Sequence, residues 1–172
     1  MAACAHVSIP LWFTPVPITL QTFGVILLAL TLGGWRASAA LILYLAEGIS
    51  GLPVFSPSGP GGFAQILGPT GGFLIAYPLA ALAGGLVAQK LLRDKRPIVS
   101  FALAALTCEV IIFAFGAVWL FVLTHQSANA IITAAVLPFV PGEVLKGAAA
   151  IGAAVAKTAR FPQTDAGISD KK

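Results

Sequence analysis

One apolar run dominates the sequence between Pro97 and Leu123, and its residues are PIVSFALAALTCEVIIFAFGAVWLFVL. A helix needs about 20 consecutive, mostly apolar residues to cross the hydrocarbon core of a bilayer. This run exceeds that length and contains one charged residue, Glu109. It therefore predicts a transmembrane helix and makes the whole chain a candidate all-α integral membrane protein.

The composition of the chain supports the same class. Of the 172 residues, 58% are hydrophobic and 9% are charged, whereas a soluble domain has roughly 25% charged residues. The net charge of +4 does not indicate a nucleic-acid partner, because the basic residues fall in alternate loops, as they do in membrane proteins. The cysteines and histidines are isolated, so the sequence predicts no disulfide, metal site or cofactor.

Proline and glycine divide the chain into further apolar segments, which predict a bundle of six transmembrane helices with the first one truncated. We expect the segment from Met1 to Phe13 to be the second half of a helix, because it is too short to cross a bilayer. The other helices are expected at 18–32, 37–51, 70–92, 97–123 and 130–156, with a break in the last at 137–142. The uncharged Gly/Pro-rich stretch 51–72 predicts a loop packed against protein or a cavity.

The basic residues predict the orientation of this bundle in a cell membrane. They occur at Arg36, at Lys90, Arg93, Lys95 and Arg96, and at Lys157, Arg160, Lys171 and Lys172. The loops between these groups contain no Lys or Arg, and cytoplasmic loops are the ones enriched in both. We therefore expect a single transmembrane domain at 1–156, followed by a polar cytoplasmic tail at 157–172.

Charged residues inside the predicted spans are candidates for a binding site, because each is costly to place in a bilayer. Glu143 and Lys146 are three residues apart and share a helix face, directly after the proline break, a common feature of transporter binding sites. Together they suit a ligand that has both donors and acceptors, although they also suit a simple internal ion pair. Glu47 and Glu109 also lie inside predicted spans, and they are weaker candidates.

The glycine-rich segment before the fourth helix does not predict a nucleotide site. A phosphate-binding loop has a lysine after its last glycine, whereas Phe73 follows Gly72 here. The helix that starts near Thr70 could still direct free N–H groups at an anion such as a carboxylate. An ordinary helix start is the alternative.

Four motifs, in order along the chain, resemble those of the BioY family, the biotin-binding S components of energy-coupling-factor transporters. They are PITLQTF (17–23), LYLAEG (43–48) followed by GLPVF (51–55), GPTGGFL (68–74) and LPFVPGEVLK (137–146). The resemblance implies six transmembrane helices, capture of biotin from outside, and no enzymatic activity. It also implies a transmembrane scaffold subunit and two ATP-hydrolysing subunits as partners.

The resemblance further implies roles for individual residues. Glu143 would accept hydrogen bonds from the ureido N–H groups of biotin, and Lys146 would donate to the ureido carbonyl or to the carboxylate. Family members usually have Asp in place of Glu143 and Tyr in place of Phe73. The remaining expected ligand-binding residues are the apolar walls Tyr44, Phe55 and Phe73, the hydrogen-bonding Gln21 and Thr70, and Glu47.

Three alternatives remain open from the sequence. The chain could be an S component for another small heterocyclic vitamin, an intramembrane enzyme using Glu47 or Glu109, or a purely structural subunit. On the last helix, Ala148, Gly152 and Ala156 are four residues apart, a spacing that lets another helix approach closely in a membrane.

Overall fold

The computed structural model describes residues 1–92 and 97–160, and it is almost entirely helical. The expected basic residues at 93, 95, 96, 171 and 172, and the tail from residue 161, lie outside the described residues. The elements in chain order are α1 (Ala2–His6), β1 (Ser8–Ile9), β2 (Ile18–Thr19), α2 (Gln21–Leu32), α3 (Gly34–Ile49), α4 (Gly62–Leu67), α5 (Gly71–Leu91), α6 (Pro97–Thr124), α7 (Ala128–Ala135) and α8 (Val140–Arg160).

Two helices, α5 and α6, are each long and apolar enough to cross a membrane by themselves. The pair α7 and α8 satisfies the same criteria as one span that is bent by 52°. Helices α2 and α3 are shorter, with 12 and 16 residues. The chain is thus an all-α membrane protein in which the bent span and the shorter helices surround α5 and α6.

Helix α5 is the centre of the bundle and packs against α6, α3 and α2, while α8 packs against α2 and α6. Glycine allows the closest of these approaches. A methyl group added at Gly84 would collide with the Cys108 side chain and the Ala104 carbonyl of α6. Close backbone packing of this kind is a main source of helix association in membranes, where lipid is as apolar as the helix surface.

The N-terminal region differs from the sequence prediction. A helix was expected as far as Phe13 and again from Ile18, but α1 ends at His6 and the chain then forms an antiparallel pair in which Ser8 lies opposite Thr19. Pro10 explains the early end, because the residue before a proline avoids helical geometry. The pair directs the chain back so that Thr19 lies directly before α2.

Two other boundaries also differ. The stretch 51–72 was predicted as a loop, yet it contains the six-residue helix α4. Helix α8 continues to Arg160, four residues beyond the expected end of the transmembrane domain at residue 156.

The two ends of the bundle differ in charge. The end formed by the last turns of α2, α5 and α8 and the start of α3 carries Arg36, Lys90 and Lys157, and we call it the basic end. Here the Lys157 ammonium donates to the carbonyl of Thr31, at 3.0 Å. The opposite end contains the loops 50–61 and 125–127, which contain no Lys, Arg, Asp or Glu, and we call it the neutral end.

Candidate functional site

A cavity opens inside the bundle toward the neutral end, between the first turns of α2, α5 and α8. The space within it, counted up to and including its open mouth, is about 570 Å³. Five of the residues predicted from the sequence line it: Gln21, Thr70, Phe73, Glu143 and Lys146. The structure thus brings together predicted residues from α2, the start of α5 and α8.

The break between α7 and α8 places the charged pair at this cavity. The chain bends by 52° there. Pro138 lies in the connection, where a missing N–H and a fixed φ interrupt a continuous helix, and Pro141 lies in the first turn of α8. Glu143 lies in the first turn of α8, where the helix dipole favours a negative charge. Lys146 follows one turn later on the same face and also lines the cavity.

A compact hydrogen-bond network holds the pair in place. The Lys146 ammonium donates to Glu143 Oε1 at 2.5 Å, to Thr22 Oγ1 at 2.9 Å and to the carbonyl of Thr19 at 2.8 Å. The Thr22 hydroxyl donates in turn to Glu143 Oε2, at 2.5 Å. Because an ammonium has three N–H donors, Lys146 uses all of them on the protein.

This network leaves Glu143 able to accept further hydrogen bonds from a ligand, but it leaves Lys146 without a free donor. Each oxygen of Glu143 accepts one hydrogen bond from these groups, and a carboxylate has about four acceptor positions in all. Glu143 can therefore accept from a ligand N–H without breaking an existing bond. A ligand acceptor, by contrast, would have to replace one of the partners of Lys146.

Gln21, Tyr44 and Phe55 form a layer beside the cavity. Gln21 lines the cavity and its side-chain amide donates to the Tyr44 hydroxyl, at 2.9 Å. The Tyr44 ring in turn packs edge-on against Phe55, with ring centroids 5.5 Å apart. Tyr44 and Phe55 thus support Gln21 from behind and do not line the cavity as direct walls.

The direct apolar walls come mainly from other aromatic residues. Phe73 packs edge-on against Phe113, with ring centroids 6.3 Å apart, and both line the cavity together with Tyr77 and Phe139. This arrangement gives the cavity an aromatic side opposite the polar Thr19 and Gln21. Such a mixture suits a ligand that is apolar in its middle and polar at its ends.

Thr70 lies between the cavity and a second recess on the surface of the neutral end. Its hydroxyl accepts from the Gln65 amide at 2.9 Å, and both residues line the cavity and the recess. The Thr70 side chain makes no capping hydrogen bond to α5, so its own O–H remains available to a ligand. The recess therefore adjoins the cavity at the neutral end.

Glu47 and Glu109 lie outside the cavity lining. Helix α3 buries Tyr44 and Gly48, which are four residues apart, against the bundle. Glu47 therefore lies on a partly exposed flank of the helix. Glu47 was expected to line the binding site, but in the structure it lies outside the cavity. Glu109 lies on α6 beside Glu143, on the side away from the cavity.

Sequence reasoning did not single out Thr22, Gln65 or Tyr77, which all line the cavity. Thr22 is central, since it bonds both members of the charged pair. A weak signal for it exists, because Gln21 and Thr22 are adjacent polar residues at the start of a mostly apolar helix. Gln65 had no signal, since it lies in the short helix α4 that was predicted as loop.

The fold and this cavity define a helical membrane protein with an internal cavity that suits a small polar molecule. Comparison with known proteins gives the family. The model of the BioY family matches residues 1–163, and the chain belongs to this family.

Individual relatives agree with the family match. The chain is 36% identical to the probable biotin transporter BioY of Pyrococcus horikoshii over 137 residues, which are 80% of this chain and 77% of the relative. It is 35% identical to the biotin transporter BioY of Rhodobacter capsulatus over 147 residues, covering 81% and 76% of the two chains. A crystal structure of the S-component for biotin from an ECF-type ABC transporter shares the fold, with a TM-score of 0.83, 24% identity, and coverage of 92% of this chain and 84% of that one.

Proposed function

We propose that this chain is the membrane subunit that captures biotin from outside for uptake driven by ATP hydrolysis in partner subunits. The observation that carries the proposal is the Glu143–Lys146 pair at the foot of a cavity with aromatic walls. Membership of the BioY family and the names of the relatives specify the ligand. The role is binding and transport, with no catalytic step.

Biotin matches the distribution of polar groups in the cavity. Its ureido ring has two N–H donors and one carbonyl acceptor, its thiolane ring is apolar, and its tail ends in a carboxylate. The spare acceptor positions of Glu143 suit the ureido N–H groups. The ureido carbonyl takes a hydrogen bond from Lys146 in place of Thr22 or the Thr19 carbonyl.

The apolar and anionic parts of biotin then lie toward the neutral end. Phe73 and Phe113 cover the thiolane ring, and Gln21, held by Tyr44 and Phe55, fixes the polar side. The carboxylate lies toward Thr70, where a free hydroxyl and the first turn of α5 favour an anion. Charge-assisted hydrogen bonds at both ends of one ligand provide affinity and a fixed orientation.

The orientation and partners follow from the same proposal. The basic end is cytoplasmic, so the cavity opens outward and the C-terminus is inside. A transmembrane scaffold subunit and two ATP-hydrolysing subunits supply the energy. Residues 1–156 act as one transmembrane domain, and 157–172 as its cytoplasmic extension.

Binding of labelled biotin to the purified protein in detergent tests the ligand. We expect saturable one-to-one binding that unlabelled biotin and desthiobiotin displace, since both carry the ureido ring. Thiamine and riboflavin lack that ring and should not compete. Tight binding of another vitamin without binding of biotin would reject the assignment while leaving the site in place.

A further inference from the structure

Glu109 is a buried carboxyl group that does not line the proposed biotin cavity. It lies in the middle of α6, and both of its carboxyl oxygens are shielded from solvent without a hydrogen-bond partner among residues 1–92 and 97–160. An ionised carboxylate in such a place is costly unless another group compensates its charge. A neutral carboxylic acid is far less costly, but its proton needs an acceptor.

The position of Glu109 supplies that acceptor. Glu109 lines an apolar groove between α6 and α8, and Glu143 and Phe113 line both this groove and the biotin cavity. Glu109 thus lies directly behind Glu143 as seen from the cavity. Both carboxyl groups line the same groove, so a proton bound to one of them can be donated to the other.

The groups around the two carboxyls determine which one holds the proton. The charged groups that face Glu109 among the described residues are Glu143 and Lys146 of α8, and the neutral titratable ones are Tyr77 of α5 and Cys108 of α6. Lys146 and Thr22 both donate to Glu143, whereas Glu109 has no such donor among the described residues. Two adjacent carboxylates rarely ionise together, so the proton belongs to Glu109.

On the basis of the proposed biotin site, we propose that Glu109 binds a proton and donates it as a hydrogen bond to Glu143, which makes capture of biotin dependent on that proton. Glu109 is a positioning residue, since it does not line the cavity. When the proton is lost, a second negative charge lies beside Glu143 and competes with it for Lys146, the group that donates to the ureido carbonyl of biotin. Binding at high pH then takes up one proton from solution, which returns to Glu109.

Biotin affinity measured against pH tests this coupling on the full chain in detergent. Between about pH 6 and pH 9 the carboxyl group of biotin stays ionised. We expect the wild-type affinity to fall as pH rises, by up to about tenfold per pH unit for a single linked proton. Glu109→Gln keeps a permanent N–H donor for Glu143, and its affinity should not change over this range.

Matched variants separate Glu109 from other titrating groups. Glu47→Gln makes the same chemical change outside the cavity, and it should keep the wild-type pH profile. Tyr77→Phe and Cys108→Ala remove the neutral titratable neighbours, and both should retain the slope even if affinity changes. A slope in Glu109→Gln equal to that of the wild type would overturn the proposal, as would a flat wild-type profile.

Infrared spectroscopy of the empty protein gives a second measurement that does not depend on biotin. We expect a carboxylic-acid C=O band at neutral pH that disappears in Glu109→Gln and persists in Glu47→Gln. Absence of that band in the wild type would show that Glu109 is ionised, and the proposal would be wrong. Failure of the wild type to bind biotin would instead reject the proposed function, and the band would still decide the state of Glu109.

Discussion

Lys146 is held by three acceptors at once, so its removal affects the ligand and Glu143 together. In Lys146→Ala, Glu143 loses its only salt-bridge partner among the described residues and keeps the Thr22 hydroxyl. We expect biotin binding to weaken by at least the ~1.5–3 kcal/mol of a charge-assisted hydrogen bond, which is roughly 10- to 150-fold in Kd. Glu143→Ala should weaken it similarly. Titration calorimetry with purified variants measures the change.

Lys157→Ala is the matched control for this prediction. Lys157 lies on the same helix, and its ammonium bonds the Thr31 carbonyl at the basic end, far from the cavity. We expect its biotin affinity to equal that of the wild type. If Lys146→Ala also bound biotin normally while remaining folded, the charged pair would be an internal ion pair without a role in capture.

Thr22 connects the two charges, and its hydroxyl is the group that matters. Thr22→Val keeps the shape of the side chain but removes the donor to Glu143 and the acceptor for Lys146. We expect biotin affinity to fall by about tenfold, or about 1.4 kcal/mol, whereas Thr22→Ser should retain most of it. Equal losses in Val and Ser variants would indicate that packing of the methyl group, and not the hydrogen bonds, supports the site.

At the scale of single residues, the sequence identified the charged pair of the site better than it identified which other side chains face the cavity. Glu143 and Lys146 could be found because three-residue spacing and a proline break have direct structural meaning. Glu47 was misplaced because its distance to the cavity depends on the rotational phase of α3, which is fixed by packing. Thr22 was missed because a threonine in an apolar helix often bonds its own backbone, as Thr31 does with the carbonyl of Leu27.

At the scale of elements, hydropathy located the long helices within a few residues. It could not predict the β1–β2 pair, because each strand has two residues and depends on a partner about ten positions away. Likewise, α4 is too short to show a helical pattern, and the Gln65 contacts to Gly61 and Thr70 help to hold it. Both elements lie at the mouth of the cavity, where tertiary contacts decide local structure.

The small residues of α8 form an open helix face on which a partner helix could pack. Ala148, Gly152 and Ala156 are all exposed, and a methyl group added at Gly152 would meet no atom within 4 Å beyond its neighbours and the backbone of its own helix. Packing inside this bundle therefore does not explain their size. We expect Gly152→Leu to weaken association with the scaffold subunit, because a large side chain prevents close helix approach.

The same variant should leave biotin binding within about threefold, since Gly152 lies about 9 Å along the helix axis from Lys146. Co-purification with the scaffold and biotin binding should be measured on one preparation. Ala114→Leu adds a large side chain at an exposed position of α6 and serves as the control. A Gly152→Leu protein that loses biotin but keeps the scaffold would contradict a docking role.

At the scale of the whole molecule, the distribution of charge predicts the orientation in the membrane. The basic end should be cytoplasmic. In a background with Cys4 and Cys108 replaced, a cysteine at Gln126 should react with an impermeant thiol reagent in intact cells. A cysteine at Arg160 should react only after the cells are permeabilised. The reverse pattern would place the cavity mouth on the cytoplasmic side and exclude capture from outside.

The whole molecule also sets a limit on what the chain can do alone. It binds a ligand inside a bundle that offers no phosphate loop, because Phe73 follows Gly72 where a nucleotide site needs lysine. Capture is reversible, and without an energy source it can only equilibrate biotin across a membrane. We therefore expect the purified chain in liposomes to show no ATPase activity and no accumulation of biotin above the outside concentration.

Adding the scaffold and ATP-hydrolysing subunits should produce ATP-dependent accumulation that Lys146→Ala reduces. Accumulation against a gradient by the chain and ATP alone would contradict its assignment as a capture subunit.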